Sequence, residues 1–120
     1  MRLQGEGKLL RVFIGEADRV NHHALHTEIV KTAKARGLAG ATVLRGVEGF
    51  GANSRCIHTT RILRLSEDLP IVIEIVDTEE KIRNFLPIVD TLLEQSGCGA
   101  MVTLEKVEII HYGVKTPPTP

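Results

Sequence analysis

Residues 37–51, GLAGATVLRGVEGFG, carry the reading on which the fold turns. An apolar run, residues 39–47, lies between glycine-rich ends. Ala41, Val43 and Arg45 alternate with Thr42 and Leu44, the period of two that a strand requires. Gly46 interrupts the pattern, as at a bulge or where another backbone comes close. Gly49-Phe50-Gly51 ends the strand, and residues 52–61, ANSRCIHTTR, match neither a strand nor a clean helix. A stiff element that releases a polar loop points to a binding or signalling device rather than an enzyme.

Upstream, the period lengthens. Leu25, Ile29, Ala33 and Arg36 recur three or four apart, which predicts an amphipathic helix over residues 22–36 with Asn21 as its N-cap and Gly37 past its C-terminus. Lys34 and Arg36 in the last turn suit the negative end of the helix dipole. Before it, KLLRVFIG at residues 8–15 is short, β-rich and bounded by glycine, so a strand is expected there. Residues 1–7 and 113–120 read as flexible ends of a single domain over residues 1–120.

Downstream, residues 61–65 fit an edge strand or a helical turn, and the sequence leaves both open. Ile71-Val72-Ile73-Glu74-Ile75-Val76 is the strongest strand signal in the chain, with one carboxylate inside it. Asp77 and Thr78 then cap a helix expected over residues 79–95, whose stripe is Ile82, Phe85, Leu86, Val89, Leu92 and Leu93. Pro87 within it is expected to kink it. A last strand over residues 100–112 loses its alternation near Lys106.

The order β-α-β-loop-β-α-β is the split pattern of a ferredoxin-like α+β sandwich, with two helices on one face of an antiparallel sheet. The opposite face would also be apolar, and such a face in a 120-residue chain calls for association with further copies. Composition narrows the function classes. Fifteen basic and fifteen acidic residues cancel, so nothing marks a general nucleic-acid binder. Aromatics are 3% with no Trp, which removes the stacking platforms of single-strand binders. The longest strongly apolar run, residues 69–76, is far short of the ~20 residues that cross a bilayer, and nothing resembles a signal peptide. Cys56 and Cys98 make no disulfide framework and read as free thiols of a cytoplasmic protein.

Four segments together resemble the PII-like superfamily, and more closely its DUF190 branch: LLRVFIGE at residues 9–16, GLAGATVLRG at 37–46, GFG at 49–51 and LPIVIEIVD at 69–77. The resemblance covers residues 8–112 and implies a non-enzymatic homotrimer. It implies an adenine nucleotide bound between subunits, and a loop over residues 52–65 that docks on a partner. Carried over by residue, it places ligand contacts at Thr42, at Gly49, Phe50 and Gly51, and at Glu74, Ile75 and Val76. A buried adenine would give Glu74 a partner; a basic residue on a neighbouring strand or subunit would do so equally. Partner contacts fall on Asn53, Arg55, His58 and Arg61, and the genes near those of DUF190 relatives imply a membrane transport protein as that partner.

The chain departs from the PII pattern where phosphates are held. Gly97-Cys98-Gly99 is followed by Ala100 in place of a lysine, and the end of the last strand reads Ile110-His111-Tyr112-Gly113 in place of arginines. AMP or ADP therefore fits better than ATP, with Arg45, Arg55 or Arg61 as substitute cations. GFG also stands one residue further from Thr42 than in PII, consistent with the irregularity at Gly46. Two rivals belong to other classes: a trimeric scaffold without nucleotide, and a metal-binding trimer of the CutA type. For the latter, His22 and His26 stand at i, i+4 but lack further ligands at motif spacing. Cys56 and His58, two apart, are the one nucleophile–base pairing, and no triad completes it.

Overall fold

The computed structural model describes residues 3–51 and 68–116. Its centre is strand β1, Gly5–Gly15, which starts three residues before the apolar pattern does. β1 runs antiparallel to β5 (Pro70–Asp77) and to β6 (Met101–Ile109). The extension exists because β6 pairs with residues 5–7 through Ile109, Glu108 and Val107, so that ladder holds residues that packing alone would release. β4 (Thr42–Arg45) adds outside β5. The order β4-β5-β1-β6 puts the two most apolar strands in the middle, the ferredoxin-like arrangement expected from the split pattern.

Helices α1 (Leu25–Ala35) and α2 (Glu79–Ser96) cover one face. Leu10, Val12 and Ile14 of β1 and Ile71, Ile73 and Ile75 of β5 point to them. Leu25, Ile29 and Ala33 of α1 and Ile82, Phe85 and Val89 of α2 meet those residues. Each such burial of a Val, Leu, Ile or Phe side chain contributes about 1.5–3 kcal/mol. The N-terminus of α2 is fixed by Thr78, whose hydroxyl accepts from the Lys81 amide at 3.3 Å. Its C-terminus passes into left-handed Gly97, as a helix stop requires. Pro87 lies inside α2 on an exposed position, where the missing amide costs least.

The start of α1 differs from the expected one. Asn21 and His22 take positive φ, 49° and 70°, in a tight turn between the short strands β2 (Arg19–Val20) and β3 (His23–Ala24). Val20 is drawn into the core, the chain reverses, and the helix begins three residues after His22. Asn21 therefore supplies turn geometry, which asparagine tolerates, and caps nothing. His22 lies outside α1, so the helical spacing that would bring it to His26 is not realised. Among the described residues no group of three His, Cys, Asp or Glu could hold a metal.

β6 loses its alternation for a visible reason. Val102 and Leu104, opposite Val12 and Leu10, face the helices. Lys106 and Glu108, opposite Lys8 and Glu6, share that face but are exposed. Lys106 pairs with Glu6 at 3.3 Å. The apolar residues Val107 and Ile109 turn to the other face instead. Gly46 is a place of close approach: its amide donates to the Pro70 carbonyl at 2.8 Å, and a Cβ there would stand 3.0 Å from Pro70 Cγ. The alternative of residues 61–65 as strand or helix lies outside the described residues.

Candidate ligand pocket on the open face of the sheet

The sheet face away from the helices is mostly apolar around one charged cluster. Leu9, Arg11 and Phe13 of β1 alternate onto it, opposite Val76, Glu74 and Val72. Thr42 and Leu44 extend it across β4, and Met101, Thr103 and Glu105 across β6. Arg11 bridges three strands: its Nε donates to Glu74 Oε2 at 2.9 Å and its Nη1 to Glu105 Oε1 at 2.8 Å. The Glu74 hydrogen bond is the main reason the guanidinium is raised above its ordinary value, against a smaller desolvation. The carboxylate inside the strongest strand thus has its cation on a neighbouring strand.

At one end of this face is a pocket of about 320 Å³, at the small end of the ~300–1,000 Å³ typical of ligand sites. Thr42, Glu74 and Val76 form its floor. Residues 39–41, between α1 and β4, form one wall. Leu3 from ahead of β1 and Ile109, His111 and Tyr112 from the end of β6 and beyond form the other. Leu3, Val76 and Ile109 give it apolar surface; Thr42, Glu74, His111 and Tyr112 give it polar groups. No Lys or Arg is among these lining residues.

The wall at residues 39–41 is fixed at both of Ala39's backbone groups. Asp77, 1% exposed, accepts from the Ala39 amide through Oδ2 at 2.9 Å and from the Thr78 amide through Oδ1 at 2.7 Å. Tyr112 Oη donates to the Ala39 carbonyl at 3.0 Å, tying the segment after β6 to the same loop. Gln4 Nε2 reaches the Ile110 carbonyl at 3.4 Å. The pocket is therefore held by a buried carboxylate on one side and one phenol on the other.

Of the eight residues expected to bind a ligand, three meet here: Thr42, Glu74 and Val76. Ile75, between two of them, points the other way into the core. Alternation along β4 likewise puts Arg45 on the helix face, where its Nη2 pairs with Glu16 Oε2 at 3.0 Å. Gly49, Phe50 and Gly51 lie past the far end of β4: Gly49 stands against Pro70, the first residue of β5, and Phe50 is 77% exposed. Gly46, already beside Pro70, is four residues from Thr42, or about 13 Å along an extended chain. The structure does not bring these residues to the floor formed by Thr42, Glu74 and Val76. The partner-loop residues Asn53, Arg55, His58 and Arg61, and the pair Cys56 and His58, lie outside the described residues.

Leu3, Ile109, His111 and Tyr112 went unrecognised as pocket residues in the sequence. One signal for them is the slip at Lys106, which turns Val107 and Ile109 onto the pocket's face of the sheet.

A profile of the DUF190 family, described as "Uncharacterized ACR, COG1993", matches residues 7–109. The chain belongs to the DUF190 family. This DUF190 chain is 36% identical over 104 residues to a UPF0166 protein of Aquifex aeolicus (strain VF5), covering 87% of this chain and 93% of that protein. It is 35% identical over 92 residues to a UPF0166 protein of Methanocaldococcus jannaschii, covering 77% and 83%. Among solved structures it is similar to CPII, a nitrogen regulatory PII-like protein from Thiomonas intermedia K12 bound to ADP, AMP and bicarbonate. The TM-score is 0.64 at 15% identity, over 88% of this chain and 90% of CPII. That likeness gives the DUF190 chain a PII-like fold. No helix among the described residues is long and apolar enough to cross a membrane.

Proposed function

We propose that this protein is a PII-like regulator that binds an adenine nucleotide, AMP or ADP, in the pocket above Thr42, Glu74 and Val76. One observation carries the reading: the pocket is nucleoside-sized and lined by apolar surface, hydroxyls and a carboxylate, with no Lys or Arg among the described residues that line it. Such a lining suits a base and a sugar and cannot neutralise a triphosphate. The nucleotides held by CPII, which shares the fold, support the same ligand class.

The regulator is a cytoplasmic, non-enzymatic trimer. Phe13, Leu44 and Met101 are exposed on the open sheet face beside the Arg11 network, and a second and third copy would cover them. The loop at residues 52–65, which lies outside the described residues, contacts a partner, a membrane transport protein. Nucleotide binding acts by favouring one arrangement of that loop, and can do so only through different affinities for its states.

Isothermal titration with adenosine, AMP, ADP and ATP, with mass measured by light scattering on the same sample, tests this. Micromolar AMP or ADP binding to a trimer, weakened at least tenfold by Thr42→Trp, is expected. Flat titrations from an intact trimer would reject the nucleotide and leave a scaffold.

A further inference from the structure

We propose that the groove between the end of α1 and the first half of α2 is a docking site for an acidic peptide segment of a partner. The segment sets one apolar side chain on Phe85 and its carboxylates on Arg36 and Lys81. The groove is on the helix side of the sheet, away from the pocket above Thr42, so the inference does not rest on the nucleotide reading.

The groove is built by one helix face and one helix stop. Lys81, Asn84, Phe85 and Ile88 stand at i, i+3, i+4 and i+7, so they share a face of α2. Phe85 is buried at its base, whereas Ile88, beside the core stripe, is only partly buried. The other wall is the stop of α1. Gly37 takes a φ of 79°, and the amides of Gly37 and Leu38 donate to the carbonyls of Lys34 and Ala33 at 3.0 and 3.1 Å. That turn packs Leu38 against the core and leaves Arg36 exposed. Lys81 joins the two walls, its Nζ donating to the Gly37 carbonyl at 2.6 Å.

Size and charge select the occupant. The groove holds about 200 Å³, less than the ~300–1,000 Å³ of small-molecule sites. An apolar cavity of about 150 Å³ takes a benzene ring, so there is room for one side chain of Leu or Phe size. Leu38, Phe85 and Ile88 give that side chain its contacts. Around them are two cations and an amide, and no carboxylate is among the described residues that line the groove. Arg36 has no ion pair among the described residues. Lys81 has used one of three N–H donors, and Asn84 brings two more. This excess of donors calls for carboxylates, which a guanidinium binds through two parallel hydrogen bonds. A single apolar seat ringed by donors fits a peptide, whose successive side chains supply both chemistries.

The test follows amide shifts of the nitrogen-15-labelled full chain during titration with capped peptides. Each peptide holds one Leu, Met or Phe between pairs of Glu residues. At least one should give saturable shifts at residues 36–38 and 81–88 and leave residues 74–76 unmoved. Its affinity should fall about tenfold when Gln replaces its Glu residues or Ser its central residue. Arg36→Glu should weaken it as much, because reversing that charge turns attraction into repulsion. Arg36 is exposed, so the variant should keep the native circular dichroism. No groove shifts with any peptide at millimolar concentration would overturn the proposal, as would binding that survives either Arg36→Glu or the Gln peptides. Isocaproate binding as tightly as the peptides would overturn it too, by making the groove a small-molecule site. So would groove shifts that appear on raising the protein concentration alone, which would seat a second copy there.

Discussion

Asp77→Ala tests how the pocket wall is held. The carboxylate is almost wholly buried at the end of β5, and its two oxygens accept from the amides of Ala39 and Thr78 at 2.9 and 2.7 Å. Hydrogen bonds to a charged acceptor contribute about 1.5–3 kcal/mol each, and a buried amide left without an acceptor costs about 1–3 kcal/mol. Water reaching the loop recovers part of this, so the expected loss is about 2–4 kcal/mol, out of a typical total of about 5–15 kcal/mol. Asp77→Asn should lose at least half as much, because an amide keeps one acceptor and sets its own NH2 against the other backbone N–H. Urea unfolding followed by circular dichroism gives the energies. Hydrogen exchange at the Ala39 amide separates a local from a global effect. A loss under about 0.5 kcal/mol for Asp77→Ala, or an Ala39 amide as protected as before, would refute the reasoning.

Other substitutions probe the rest of the frame. Phe85→Ala empties the middle of the core under α2 and should cost about 3–5 kcal/mol by chemical denaturation. Gly7→Ala puts a Cβ 2.9 Å from the Asp77 carbonyl oxygen and 2.6 Å from Ile109 Cδ1; a loss of about 1–3 kcal/mol is expected, with the β1–β6 amides nearest residue 109 exchanging faster. Burial raises the Cys98 thiol above its ordinary value. In a Cys56→Ser protein, iodoacetamide should therefore alkylate Cys98 several-fold more slowly at about pH 8 than it does a free peptide thiol, the gap closing as pH rises. Equal rates would contradict the burial.

The strands and helices were legible where packing sets the period. Ile71 to Ile75 alternate into a core that α1 and α2 fill from stripes equally plain in the sequence. Reading failed where pairing or a turn overrides pattern. Asn21 looks like a cap because a cap and a left-handed turn attract the same residue type, and only the burial of Val20 decides between them. Gly5 to Gly7 looks frayed because two glycines carry no packing signal, yet β6 holds them. The floor of the pocket was legible through Thr42, Glu74 and Val76. Its second wall was not, because Leu3 and Tyr112 reach it from opposite ends of the chain. Arg45 shows the limit of proximity in sequence: three residues from Thr42, it is on the other side of the sheet.

The central claim is that an adenine nucleotide sits on Thr42, Glu74 and Val76. Amide shift mapping of nitrogen-15-labelled protein titrated with AMP tests it most directly. The account predicts saturable shifts at residues 39–42, 74–76 and 109–112, with the helix-side groove around Arg36, Lys81 and Asn84 unmoved. Shifts centred on that groove, or none at millimolar AMP, would contradict it.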